Sequence, residues 1–84
     1  MHVDILYFAS LRERVGIEAE SLALEATACV GDLLERLRAR DATWAAALGS
    51  TQPVMVAVNQ EMARPETPLA DGDEVALFPP VTGG

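Results

Sequence analysis

Val30-Gly31-Asp32-Leu33-Leu34-Glu35-Arg36-Leu37-Arg38-Ala39-Arg40 carries the strongest helical pattern in the chain. Val30, Leu33, Leu34 and Leu37 recur at i, i+3, i+4 and i+7, which puts them on one apolar stripe. Glu35, Arg36 and Arg38 face water, and Arg36, Arg38 and Arg40 suit the negative end of the helix dipole. Thr27 or Cys29 must begin this helix, and Cys29 would be a weak N-cap in place of Ser or Thr. Otherwise Cys29 reads as a small buried hydrophobe, with a thiol activated by the helix N-terminus as the functional alternative.

Upstream, Val3 to Ala9 alternates in period two, with Val3, Ile5 and Tyr7 on one face and Asp4, Leu6 and Phe8 on the other. Ser10 to Gly16 predicts one or two helical turns, with Leu11 and Val15 at i, i+4 and Gly16 as the stop. Ala19 to Leu24 predicts a second strand with Leu22 and Leu24 inward. Downstream, Thr43 is the expected cap of a short helix, Trp44 to Leu48, closed by Gly49, and Trp44 reads as a lid on the core. Val54 to Val58 is a strand ended by the turn-like Asn59-Gln60, and Glu61 to Arg64 a short return strand stopped by Pro65. Pro65 and Pro68 punctuate a loop leading to Leu69. Asp71-Gly72-Asp73 then signals a turn before a last strand, Glu74 to Phe78. His2 has no visible partner and no assigned role.

This order contains no repeat and no domain break, so residues 1–84 are expected to form one domain. A helix joining two strands crosses one face of their sheet. A mixed sheet of about five strands wrapped on one main crossover helix, with short helical turns, is the β-grasp or ubiquitin-like arrangement, an α+β fold. The last strand is then central and parallel to the first. Asp4 and Glu74 mark the solvent face of these two strands, and by parity Phe8 and Phe78 share it. Two exposed aromatics at neighbouring strand ends would make an apolar patch able to hold a partner.

That patch lies where the chain runs into Pro79-Pro80-Val81-Thr82-Gly83-Gly84. Two successive prolines remove two donors and favour polyproline II, so the sheet stops and residues 79–84 are expected to project. Six residues at about 3.3 Å each reach about 20 Å. Gly83 and Gly84 lack a Cβ and can enter a channel too narrow for side chains. The group delivered is the Gly84 α-carboxylate, a poor electrophile until it is activated, for example as an acyl-adenylate.

Composition narrows the function. Half of the 84 residues are apolar, enough to fold, and the net charge of −7 argues against nucleic acid and for partners with basic surfaces. All six cations are Arg, so side-chain isopeptide links between copies of this chain are excluded. The single cysteine excludes an internal disulfide. With no signal-like N-terminus and no long apolar span, the expectation is a reduced, soluble, cytoplasmic protein without membrane attachment. No Ser/His/Asp set, metal-spaced ligands or Gly-rich phosphate loop is present, so the sequence predicts no metal and no cofactor bound by this chain.

The chain resembles the small, sulfur-carrying subunits of molybdopterin synthase over nearly its whole length. The resemblance is carried by Tyr7-Phe8-Ala9 with Leu11-Arg12-Glu13 and Gly16, by Val30-Gly31-Asp32-Leu33-Leu34, and by Ala57-Val58-Asn59-Gln60. Its most specific marks are Pro68-Leu69 with Asp71-Gly72-Asp73-Glu74-Val75-Ala76, then Phe78-Pro79-Pro80-Val81-Thr82-Gly83-Gly84. Cys29 departs from the usual Thr or Ser. The resemblance implies that an adenylyltransferase of the ubiquitin-activating type adenylates Gly84 with Mg-ATP. A sulfurtransferase or cysteine desulfurase then supplies the sulfur of a thiocarboxylate. The loaded tail enters the large synthase subunit, in a heterotetramer, and donates sulfur to cyclic pyranopterin monophosphate to build the molybdopterin dithiolene. It also implies partner contacts through Phe8, Met62 and Phe78, with the active site on the large subunit. The alternatives are sulfur carriage for thiamine or tRNA thiolation, a ubiquitin-like protein modifier, and a passive adaptor.

Overall fold

A computed structural model describes residues 1–49 and 54–79. The period-two run at the start forms β1 (His2–Tyr7), with Val3, Ile5 and Tyr7 buried. It stops two residues short of the expected Ala9, because Ala9 takes φ 53° and opens α1 (Ala9–Val15). Gly16 ends α1 in the left-handed conformation, φ 82°, and its amide donates to the Arg12 carbonyl. β2 (Ala19–Ala23) returns antiparallel to β1.

α2 spans Val30–Arg38 and buries Val30, Leu33, Leu34 and Leu37, the stripe read from its period. It is two residues shorter than expected: Ala39 is its C-cap, and Arg40 beyond it reaches Glu20 on β2. Cys29 is the N-cap residue, half-buried, and the Asp32 carboxylate accepts from both its amide (2.9 Å) and its thiol (3.3 Å). Those bonds hold the Asp32 carboxyl below its ordinary range. The next two amides are satisfied by the proline loop, Val30 donating to Thr67 O and Gly31 to Pro65 O. A Cβ on Gly31 would lie 3.2 Å from that Pro65 oxygen, so the loop sits against the helix start where glycine leaves room.

α3 (Ala42–Leu48) begins two residues earlier than expected. Asp41, not Thr43, is the N-cap, and its carboxylate accepts from the Trp44 amide at 3.1 Å. β3 (Met55–Val58) and β4 (Glu61–Met62) form a hairpin across Asn59 and Gln60, both with positive φ. β4 is shorter than the expected return strand. The chain leaves the sheet after Ala63, whose amide still bonds to Val56 O. β5 (Glu74–Phe78) matches its expected limits.

The five strands lie in the order β2-β1-β5-β3-β4, with β1 and β5 parallel and every other neighbour antiparallel. β5 is therefore central, and the architecture is the ubiquitin-like β-grasp. One face of the sheet joins the helices in a single core that includes Ile5, Leu33, Leu37, Val75 and Leu77. Its rim is closed by a polar lock. Arg40 grips Glu20 through two nitrogens, at 2.8 and 2.6 Å, and the Tyr7 hydroxyl donates to Glu20 at 2.7 Å. Arg40 also lies over Trp44, 4.5 Å from the ring centre, and Trp44 meets Tyr7 edge-on at 5.4 Å. Trp44 is thus the lid its isolation suggested. Among the described residues no helix is long and apolar enough to cross a membrane.

Candidate functional site

Among the described residues no helix packs against the opposite face of the sheet, and its side chains are placed by register. Leu6 lies beside Ala76, Ala76 beside Ala57, and Ala57 beside Met62, an apolar rung across four strands. Two residues along, Phe78 pairs with Met55. Phe8 continues β1 past its last paired residue, and its amide donates to Leu77 O at 3.1 Å, keeping it beside the end of β5. Parity puts Phe8, Phe78 and Met55 on the same face as the first rung.

The structure puts Phe8, Met62 and Phe78 on one face; parity nominates the two aromatics and the resemblance all three. Phe8 is 45% exposed and Met62 59% exposed, while Phe78 is half-buried. Pro79 follows directly, also half-buried. Pro80, Val81, Thr82, Gly83 and Gly84, with the projection expected of them, lie outside the described residues. Leu6, Met55, Ala57 and Ala76 belong to the face as well. Period two could have nominated Leu6 and Ala76, whereas Met55 and Ala57 required the strand order.

Local backbone chemistry fixes the aim of this face. Phe8 is the N-cap residue of α1 with extended angles, and Ala9 after it sits in the left-handed region that favours glycine. At the other end of the strands the surface turns acidic, with Asp4 beside Glu74. There Asp71 accepts from the His2 amide, and Asp73 accepts from Asn59 Nδ2 and from the Ala70 amide. Asn59 Oδ1 in turn accepts from the Glu74 amide at 3.0 Å, which ties the β3–β4 turn to the start of β5. Along β1 and β5 the surface therefore runs from carboxylates to aromatics, and the chain leaves from the aromatic end. Leucine, phenylalanine, methionine and alanine side chains cannot move a proton or attack a bond. What this face can do is bury itself against a partner.

A half-exposed apolar face leading into a C-terminal Gly-Gly segment, on a β-grasp body, defines a protein of the ubiquitin-like carrier class. The chain belongs to the ThiS family, whose model matches residues 5–84. It is 43% identical over 82 residues to the molybdopterin synthase sulfur carrier subunit of Escherichia coli (strain K12), covering 98% of this chain and 99% of that one. Among solved structures it is similar to SAMP1, a small archaeal modifier protein of Haloferax volcanii, with a TM-score of 0.85 at 30% identity, covering 100% of both chains. It is also similar to a chain in the complex of subunits 1 and 2 of the molybdopterin-converting factor from Helicobacter pylori 26695. There the TM-score is 0.70 at 27% identity, and both chains are covered in full.

Proposed function

We propose that this protein is the sulfur carrier subunit of a molybdopterin synthase, with the Gly84 carboxylate as the group that is loaded. The observation that carries this reading is the position of β5. The strand that leads to Pro79 and Gly84 is the centre of the sheet, and its last residue lies in the apolar face with Phe8. Docking of that face therefore fixes where the tail begins to within the rigidity of the sheet. The similarity to named sulfur carrier subunits supports the choice of chemistry.

In this reading an adenylyltransferase of the ubiquitin-activating type uses Mg-ATP to convert the Gly84 carboxylate to an acyl-adenylate, releasing pyrophosphate. The persulfide sulfur of a sulfurtransferase or cysteine desulfurase then attacks the adenylate and displaces AMP, and a second thiol cleaves the resulting acyl disulfide, leaving a thiocarboxylate and a disulfide. The large synthase subunit receives the tail, in a heterotetramer of two small and two large subunits. Sulfur passes to cyclic pyranopterin monophosphate, and water restores the Gly84 carboxylate. Phe8, Met62, Phe78 and Pro79 hold the body against the partner. Pro80, Val81 and Thr82 line the path, and Gly83 and Gly84 enter the active site, which belongs to the large subunit. This chain positions and delivers; it supplies no side chain to the chemistry.

The test is the mass of the peptide Val75–Gly84, released by cleavage after Glu74, once the chain has been co-expressed with an activating enzyme and a sulfur source. It contains neither Met nor Cys, so oxidation cannot imitate sulfur. Replacement of one oxygen by sulfur is the expected result. An unchanged mass with active partners would remove the carrier reading. A second reading, a protein modifier, draws on the similarity to SAMP1. It requires higher-mass adducts in cell extracts that disappear when Gly84 is deleted.

A further inference from the structure

Among the described residues no strand pairs with the outer edge of β2. The Leu24 amide bonds to Met1 O and the Tyr7 amide to Glu18 O, at 2.7 and 2.9 Å. Between them the register pairs Val3 with Leu22 and Ile5 with Glu20. Antiparallel alternation then turns the backbone groups of Glu20, Leu22 and Leu24 towards β1, and those of Ala19, Ser21 and Ala23 outwards. These three residues are exposed and carry small side chains. Natural edges are blunted by Lys, Pro, a bulge or a cover. β2 contains neither Lys nor Pro, and its register with β1 runs without a break. Among the described residues, what reaches this edge is Arg36, whose Nη1 donates to Ala23 O at 3.4 Å.

The edge leads into a cleft. Leu24, Glu25, Thr27, Ala28, Asp32 and Arg36 line about 190 Å³ between the end of β2 and α2. At this end two carboxylates, Glu25 and Asp32, stand against one cation, Arg36, and at the other Glu18 makes an exposed pair with Arg12 at 3.9 Å. A second copy would bring two such acidic edges together, each on a chain of net charge −7. A cationic partner meets complementary charge instead. We propose that the free edge of β2 and the adjoining cleft form a second docking site. It takes an extended segment of a partner protein, apolar in alternation and flanked by Arg or Lys, as an added strand.

This site does not depend on the tail or on the carrier reading. β1 and β5 separate β2 from β3, about 14 Å at the usual strand spacing, so both surfaces can be occupied at once. A partner held at β2 therefore leaves the apolar face and the C-terminus free for another.

The test uses the full chain, labelled with ¹⁵N, and the peptide acetyl-Arg-Val-Ile-Val-Arg-amide. The expected result is chemical-shift change at the Ala19, Ser21 and Ala23 amides, with their hydrogen exchange slowed about tenfold at saturation. Ser21→Pro removes an outward donor, leaves the β1 ladder intact and should abolish the effect. Glu25→Arg, which reverses a charge at the cleft, should weaken it about threefold or more. No change at these amides with millimolar basic peptide overturns the proposal. So does change confined to the Phe8–Met62 face. Equal binding of the Glu-flanked analogue overturns the assignment of a cationic partner. Protection that appears without peptide and grows with protein concentration, accompanied by dimer mass, replaces the peptide with a second copy.

Discussion

The two faces of this sheet are built from the same strands and differ in what covers them. Ile5, Val75 and Val56 point into the core and are at most 5% exposed. Leu6, Ala76 and Ala57, one residue along in each case, are half-buried. Fully burying a Val or Leu side chain contributes about 1.5–3 kcal/mol, so the inner face holds the fold together. The outer face keeps apolar area that folding has not used. On the proposed reading, stability and recognition fall to alternate residues of one strand, and neighbouring substitutions can separate them.

The largest effect expected is on the inner face. Leu77→Ala should lower the unfolding free energy by about 2–5 kcal/mol in urea titrations, a large part of the roughly 5–15 kcal/mol available to a domain. A loss below about 1 kcal/mol would break the distinction between faces. On the outer face, Phe8→Ala and Met62→Ala should each change stability by less than about 1 kcal/mol. Calorimetric affinity for a synthase large subunit should fall about tenfold or more. A thermal melt as depressed as that of Leu77→Ala would show that the outer face is structural after all.

The rim between the faces gives a smaller, pH-dependent effect. Arg40, by its hydrogen bonds, holds the Glu20 carboxyl below its ordinary value of 4.5, so the folded chain binds fewer protons than the unfolded chain in acid. Stability should therefore be lost as pH falls from that value through the depressed one, and Glu20→Gln should flatten this acid limb at a cost of about 1 kcal/mol near neutrality. At the alkaline end, burial and the bond to Glu20 push the Tyr7 hydroxyl upwards, so stability should fall as pH rises above its ordinary value of 10.0. Tyr7→Phe should remove that limb. The smallest effect expected is a gain. Gln60 has φ 70°, and Gln60→Gly should stabilise the hairpin by about 0.5–1 kcal/mol without changing partner affinity.

Periodicity carried much of this architecture. The α2 stripe and the inner residues of β1 and β5 could be read from the chain because burial and spacing say the same thing there. The α3 cap could not, since Asp41 and Thr43 are both good capping residues two positions apart. The tertiary path decided for Asp41. Arg40 reads locally as a cation suited to a helix end, but its partner Glu20 belongs to a distant element, β2. For the candidate site, parity nominated Phe8 and Phe78. Met55 and Ala57 join them through the β3–β5 register, which no single segment encodes.

A central β5 also determines how the molecule bears load. Traction on the C-terminal segment is transmitted along a strand bonded on both sides, to β1 and β3. Those bonds lie across the strand axis, so a pull along it loads both ladders in shear. An edge strand pulled sideways would instead yield one bond at a time. The end of the sheet that leads into the Gly-Gly segment is therefore tied to the fold through two ladders instead of one.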